Sequence, residues 1–179
     1  MFLERMLRPG PVKRAAERLY AATVARARSP ALYADLGAPD TPDGRFEVYT
    51  LFVLLVLERL RSERAKAAAL SQAFFDAYLS GLDNGLRELA VGDLSVGKTM
   101  RKLGEAFYGR AKALNAALAS LPDRTALEAL IDRTVFAGEG AARAARLADR
   151  LLEARDILAA APLDRLLEGE LSWDVATPA

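Results

Sequence analysis

Eight residues, Gly92-Asp93-Leu94-Ser95-Val96-Gly97-Lys98-Thr99, satisfy the pattern G-x-x-x-x-G-K-[ST] at every position. In that pattern backbone amides cradle phosphates, the Lys reaches the β- and γ-phosphates, and the hydroxyl holds Mg²⁺. Only four positions are fixed and two of them are Gly, so the surrounding elements must decide whether the chemistry is present. The rest of the chain narrows the choice by what it lacks. With no His and no Cys, Ser-His-Asp triads, thiol nucleophiles, disulfides and the usual zinc sites are excluded. Haem would find only Met and Tyr as side-chain ligands. No carboxylate pair stands at an informative spacing; a catalytic pocket would need Asp76, Asp83 and Lys98 to converge. These absences lower the expectation of an enzyme without excluding one, and no cofactor and no metal are expected.

A phosphate loop joins a β-strand to a helix within a mostly parallel sheet. Here the preceding residues, LDNGLRELAV, read as the end of a helix. Val96, Met100, Leu103, Phe107, Ala111, Leu114 and Leu118 then recur by fours and threes, the stripe of a following helix capped by Asp93 or Ser95. Gly97-Lys98-Thr99 falls inside the first turns of that helix, where amides bond within the helix and cannot wrap a triphosphate. No nucleotide is expected to bind.

The other segments are helical too. Ala, Leu, Arg and Glu dominate the 179 residues, and all favour helix. Pro11 opens a helix whose stripe is Val12, Ala16, Leu19, Tyr20, Thr23, Val24 and Ala27. Residues 29–44 carry three prolines and two glycines and read as a turn-rich connection. Residues 46–61 form an apolar helix around VYTLFVLLVL, about half of the roughly 20 residues a membrane span requires. Residues 62–89 follow with Leu70, Phe74, Phe75, Tyr78, Leu79, Leu82 and Leu86 toward the core, and Gly81 and Gly85 marking a kink or a close helix contact. After Pro122, Thr125-Ala126-Leu127-Glu128 reads as a capping box. A further helix spans 141–160, and a short helix and the only Trp, Trp173, close the chain. The pattern predicts one all-α domain over residues 1–179, a bundle of six or seven helices.

Net charge is +1, which gives no global pull toward nucleic acid, and no DNA partner is expected. Two stretches are locally basic: residues 1–28, with seven basic and two acidic residues, and residues 98–112, with five basic residues against Glu105. Such faces are usually solvated, and can also dock an anionic membrane, RNA or an acidic partner. The first ten residues lack the continuous apolar stretch of a secretory signal.

Several ordered motifs go further: Asp40 to Glu47 within PDTPDGRFE, then LFVLLVLERLR, then AFFDAYLSGLDNGLRELAVGDLSVGKTMRKLGEAFYGR. Together they resemble the ubiquinol–cytochrome c chaperone family over residues 9–120, while 121–179 match weakly and read as a helical C-terminal extension of the same domain. The resemblance implies an all-helical, non-enzymatic assembly factor that binds newly made cytochrome b and promotes its entry into the cytochrome bc1 complex. In that family VGDLSVGK is a helix start. With no mitochondrial presequence, the chain resembles a bacterial, cytoplasmic member, peripheral on the inner face of the inner membrane. The alternative is a general membrane-surface or ribosome-binding adaptor with no specific cytochrome client. A chaperone for so apolar a protein needs an apolar groove with a basic rim. The candidate client-facing residues are Arg45, Glu47, Arg59 and Arg61, which bracket the apolar helix, and Lys98, Arg101, Lys102, Tyr108 and Arg110. Phe2, Leu3, Arg5 and Arg8 are candidates for contact with a membrane surface.

Overall fold

The computed structural model describes residues 10–88 and 93–174. Among them are eight α-helices and no strand: α1 (Pro11–Ala27), α2 (Pro30–Ala34), α3 (Pro42–Ser62), α4 (Ala68–Glu88), α5 (Asp93–Ala119), α6 (Thr125–Val135), α7 (Ala141–Ala160) and α8 (Leu163–Leu167). A 3-10 turn, Arg64–Lys66, links α3 to α4. The chain is an all-α domain. No described helix is long and apolar enough to cross a membrane.

Helix α3 is the axis of the bundle. Val48 and every residue from Thr50 to Leu57 are buried, because α1, α4, α5, α6 and α7 all pack against it. A helix apolar on all sides is stable in water only when wrapped in this way. It begins at Pro42, four residues before the start at residue 46 that the pattern suggested. The Thr41 hydroxyl caps it by accepting from the Gly44 amide at 3.1 Å, and Pro42 occupies the first helical position, where no amide proton is needed. Gly44 is required by close approach, since a Cβ there would sit 2.2 Å from the Pro39 carbonyl oxygen. The expected connection at 29–44 therefore holds the short helix α2 and the first turn of α3.

The residues beyond 120 are part of the same core. Leu127, Ile131, Leu147 and Leu151 join the buried cluster of α3. Arg155 on α7 grips Glu58 on α3 at 2.9 Å. The C-terminal segment folds back over α1: the Trp173 indole donates to the Ala22 carbonyl at 3.0 Å, and its ring meets Phe52 edge-on at 5.9 Å.

Three local expectations need correction. Thr125 is the first helical residue of α6 and not its cap; Asp123 accepts from the Thr125 amide at 2.9 Å instead, and Glu128 pairs with Arg124. Val12 is 42% exposed, so the stripe of α1 starts at Ala15 and Ala16, both buried. In α4 Leu70, Phe74 and Tyr78 are buried, but Phe75, Leu79, Leu82 and Leu86 are only half-buried; Leu82 and Leu86 line the surface described below. The side chains of Asp93 and Ser95, the expected caps of α5, lie outside the described residues.

Candidate binding surface

The last turns of α4, together with α1, α3 and α5, line a groove of about 580 Å³. Its walls are Tyr20 and Val24 of α1, Phe46 and Tyr49 of α3, Leu82 and Leu86 of α4, and Leu103 of α5. Gly81 and Gly85 share its surface and act differently. A Cβ at Gly81 would fall 1.7 Å from the Tyr20 hydroxyl, whereas at Gly85 it would meet nothing within 4 Å. Gly81 is thus the close helix contact that the sequence suggested, and Gly85 leaves the groove open.

Behind the groove lies an aromatic stack. Tyr49 meets Tyr20 edge-on at 6.2 Å and Tyr78 at 5.2 Å; Tyr78 continues to Phe107 at 5.2 Å. The Tyr78 hydroxyl shares a hydrogen bond with Thr50 Oγ1 at 3.2 Å, and burial pushes its pKa up to about 12. Burial, reinforced by the neighbouring Tyr20, raises the Tyr49 pKa far more. The Tyr49 hydroxyl is closed off from the groove, with the Tyr20 phenol as its polar neighbour.

The rim of the groove is charged, with Arg28, Asp40, Asp43, Arg45 and Glu88. Arg45 is bonded to Asp40 and lies over the Tyr33 ring, its guanidinium carbon 5.5 Å from the centroid. That hydrogen bond holds the Asp40 carboxyl below its ordinary value, while burial raises the Tyr33 phenol.

A second, smaller groove of about 390 Å³ opens at the other end of α3. It brings Arg61 together with Arg64, Phe75, Phe107 and Tyr108. Tyr108 is 67% exposed and touches the Phe107 ring edge-on. Aromatic and Arg side chains exposed side by side are the composition of partner-binding hot spots.

The remaining candidate residues are placed differently. Glu47 is buried and receives both arms of the Arg110 fork, at 2.6 and 3.0 Å. That bidentate pair ties α5 to α3. Arg59 donates to the Leu158 and Ala161 carbonyls at 2.9 and 3.1 Å and pairs with Glu63, closing the end of α7. In this conformation these three residues hold the fold together and present little to a partner. Arg101, Lys98 and Lys102 are exposed; Arg101 lies 4.0 Å from Glu105, and the two lysines make no ion pair among the described residues. Lys98 and Lys102 immediately precede Thr99 and Leu103 of the groove wall, about 100° round the helix. Phe2, Leu3, Arg5 and Arg8 lie outside the described residues.

Gly97, Lys98 and Thr99 sit in the early turns of α5, where the stripe put them. Asp76 and Asp83 are each turned to a neighbour on their own helix, Gln72 and Arg87, both at 2.8 Å. They do not converge with Lys98 on a pocket. Among the described residues no cluster of three or more Asp or Glu is arranged to hold a metal.

Fold and surface define a helical scaffold with two apolar grooves under charged rims. The chain belongs to the ubiquinol-cytochrome C chaperone family, whose model matches residues 34–173. The match runs well past residue 120, where the resemblance in the motifs fades. The fold is similar to the crystal structure of the Cbp3 homolog from Brucella abortus, with a TM-score of 0.82 and 36% identity over 98% of this chain and 97% of that one. A comparison with curated proteins finds no match.

Proposed function

We propose that this protein is a non-enzymatic assembly chaperone that holds newly made cytochrome b until its partner subunits of the bc1 complex join. Family membership supports a role in assembling that complex. The observation that supports a client site is the α1/α3/α4/α5 groove, with its apolar walls and charged rim. This combination suits an apolar helical segment that ends in polar residues. The apolar face would lie along Phe46, Leu82 and Leu86, and Arg28 and Arg45 would meet the polar end. The work would be done in the cytoplasm, at the inner face of the inner membrane. The adaptor reading draws on the basic stretch of residues 1–28, where Lys13, Arg14, Arg18 and Arg28 are exposed, but it gives no role to the apolar groove.

Photo-crosslinking tests the client and the site together. A photoreactive residue placed at Val24 or Leu86 should capture cytochrome b during its synthesis, and one at the exposed Ala129 should not. Equal capture from both positions, or none from the groove while the protein is folded, would remove the proposal.

A further inference from the structure

The second groove, at the C-terminal end of α3, plays no part in the client reading. Its floor is apolar: Leu57 and Phe107 are buried, and Phe75 is half-buried with its ring 5.2 Å from that of Phe107. Tyr108 continues this floor outward and is the most exposed large apolar side chain among the described residues. The charged residues that line the groove, Arg61 and Arg64, are both cationic and both exposed; no Asp or Glu lines it. Arg61 donates its Nε–H to the Leu57 carbonyl at 3.1 Å, which leaves the outer nitrogens of its fork free. Arg64 makes no ion pair among the described residues. Lys66, in the same 3-10 turn, and Lys112, one helical turn on from Tyr108, are exposed too. The neighbouring carboxylates are largely committed elsewhere: Glu63 to Arg59, Glu58 to Arg155, and Glu105 to Arg101 at 4.0 Å. Asp76 is bonded to the neutral Gln72 at 2.8 Å and offsets one of these charges, so the rim stays cationic. Arg64 also holds a left-handed backbone, with φ at +50°. That conformation is ordinarily left to Gly or Asn, so a guanidinium stands at the groove where the backbone alone favours Gly.

We propose that this groove docks a short acidic segment of a partner protein, one in which apolar side chains are flanked by Asp or Glu. The apolar side chains would lie on Phe75 and Phe107 beside Tyr108, and the flanking carboxylates would pair with the Arg61 and Arg64 forks. Charge complementarity selects this occupant: an apolar floor admits an apolar anchor, and an Arg rim with no carboxylate among its lining residues matches planar carboxylates. Exposed Tyr and Arg are also the side chains that carry most binding energy at interfaces. A volume of about 390 Å³ suits the anchors of one segment. An anionic bilayer would meet the same cations, but a flat surface does not fill a recess. The groove is separate from the client groove, and the inference does not rest on the cytochrome b reading.

The probe is a fluorescently labelled synthetic peptide with two Leu residues one helical turn apart among Glu residues, titrated with the full chain and followed by anisotropy. A control peptide carries Lys in place of every Glu. The wild type should bind the acidic peptide saturably, more weakly as salt is raised, and should not bind the basic one. Arg64→Gln and Tyr108→Ala should each weaken binding about tenfold. Lys13→Gln removes the same charge from the exposed face of α1 and should bind as the wild type does. Arg64→Gly should lose affinity as Arg64→Gln does while melting no lower than wild type, because the left-handed position favours Gly. No saturable binding to the wild type, or equal weakening by Lys13→Gln and Arg64→Gln, overturns the proposal. Sedimentation of the protein with phosphatidylcholine vesicles containing phosphatidylglycerol, and alone, covers the other occupants. Vesicle capture that Tyr108→Ala abolishes would make this face a membrane contact and overturn the proposal. A wild-type dimer that Tyr108→Ala turns into a monomer would assign the groove to a second copy and overturn it as well.

Discussion

Replacing Gly85 by Trp should fill the client groove and leave the fold intact. Gly85 lies three residues before the end of α4, on the groove surface, with open space where its Cβ would stand. A Gly inside a helix is worth up to about 1 kcal/mol less than a larger residue, so folding should be unaffected or improved. An aromatic side chain covers roughly 150–250 Å². If it takes about 150 Å² of groove from the client, at about 25 cal/mol per Å², the loss is near 4 kcal/mol. Allowing that the client recovers half by shifting, about 2 kcal/mol remains, roughly thirtyfold in affinity. The assay pairs the melting temperature of the purified variant with cytochrome b haem absorbance in membranes from cells carrying it in place of the wild type. The expected result is an unchanged or higher melting temperature with sharply reduced cytochrome b. A folded Gly85→Trp protein that supports full cytochrome b would refute the groove as the client site.

Four further outcomes are expected. Glu47→Ala leaves Arg110 without its partner; since Arg110 keeps 28% side-chain exposure, the cost should be about 2 kcal/mol, below that of a fully buried pair, and the melting temperature should fall by about 6 °C. Arg45→Ala should let the Asp40 carboxyl, now held low by the Arg45 bond, return toward its ordinary value in an NMR titration; in the wild type the stability linked to Asp40 is present at neutral pH and lost only as pH falls through its depressed folded value. Tyr78 is raised to about 12 by burial, so its contribution is complete below the ordinary tyrosine value near 10 and lost as pH rises through about 12; tyrosinate absorbance should develop together with loss of helical circular dichroism. Lys98→Ala should leave cytochrome b assembly intact, and the wild type should show no ATP or GTP binding at about millimolar nucleotide.

What the sequence made legible was helix position and facing. The four- and three-residue stripes of α5 placed Val96, Phe107, Leu114 and Leu118 inward, where they are buried, and the same stripe placed the GKT residues within a helix. The groove was not legible in this way. Tyr20, Leu82 and Leu86 share the stripes of core residues, and their half-burial depends on how α1, α3, α4 and α5 meet, a tertiary fact that periodicity does not carry. Gly81 and Gly85, one turn apart beside aromatic residues, were the available signal. Glu47 and Arg110 show the same limit. Pattern gives the face of a helix but not the partner 63 residues away, and a carboxylate at the edge of a fully buried run called for a cation inside the fold. Arg59 stood outside the apolar run, and only the fold brings the end of α7 to it.

Deletion of the gene in its native host, followed by cytochrome b haem absorbance and quinol–cytochrome c activity in isolated membranes, addresses the chaperone reading most directly. Selective loss of both, restored by the wild type and by Lys98→Ala but not by Gly85→Trp, is the predicted result. Unchanged cytochrome b in the deletion strain would contradict it.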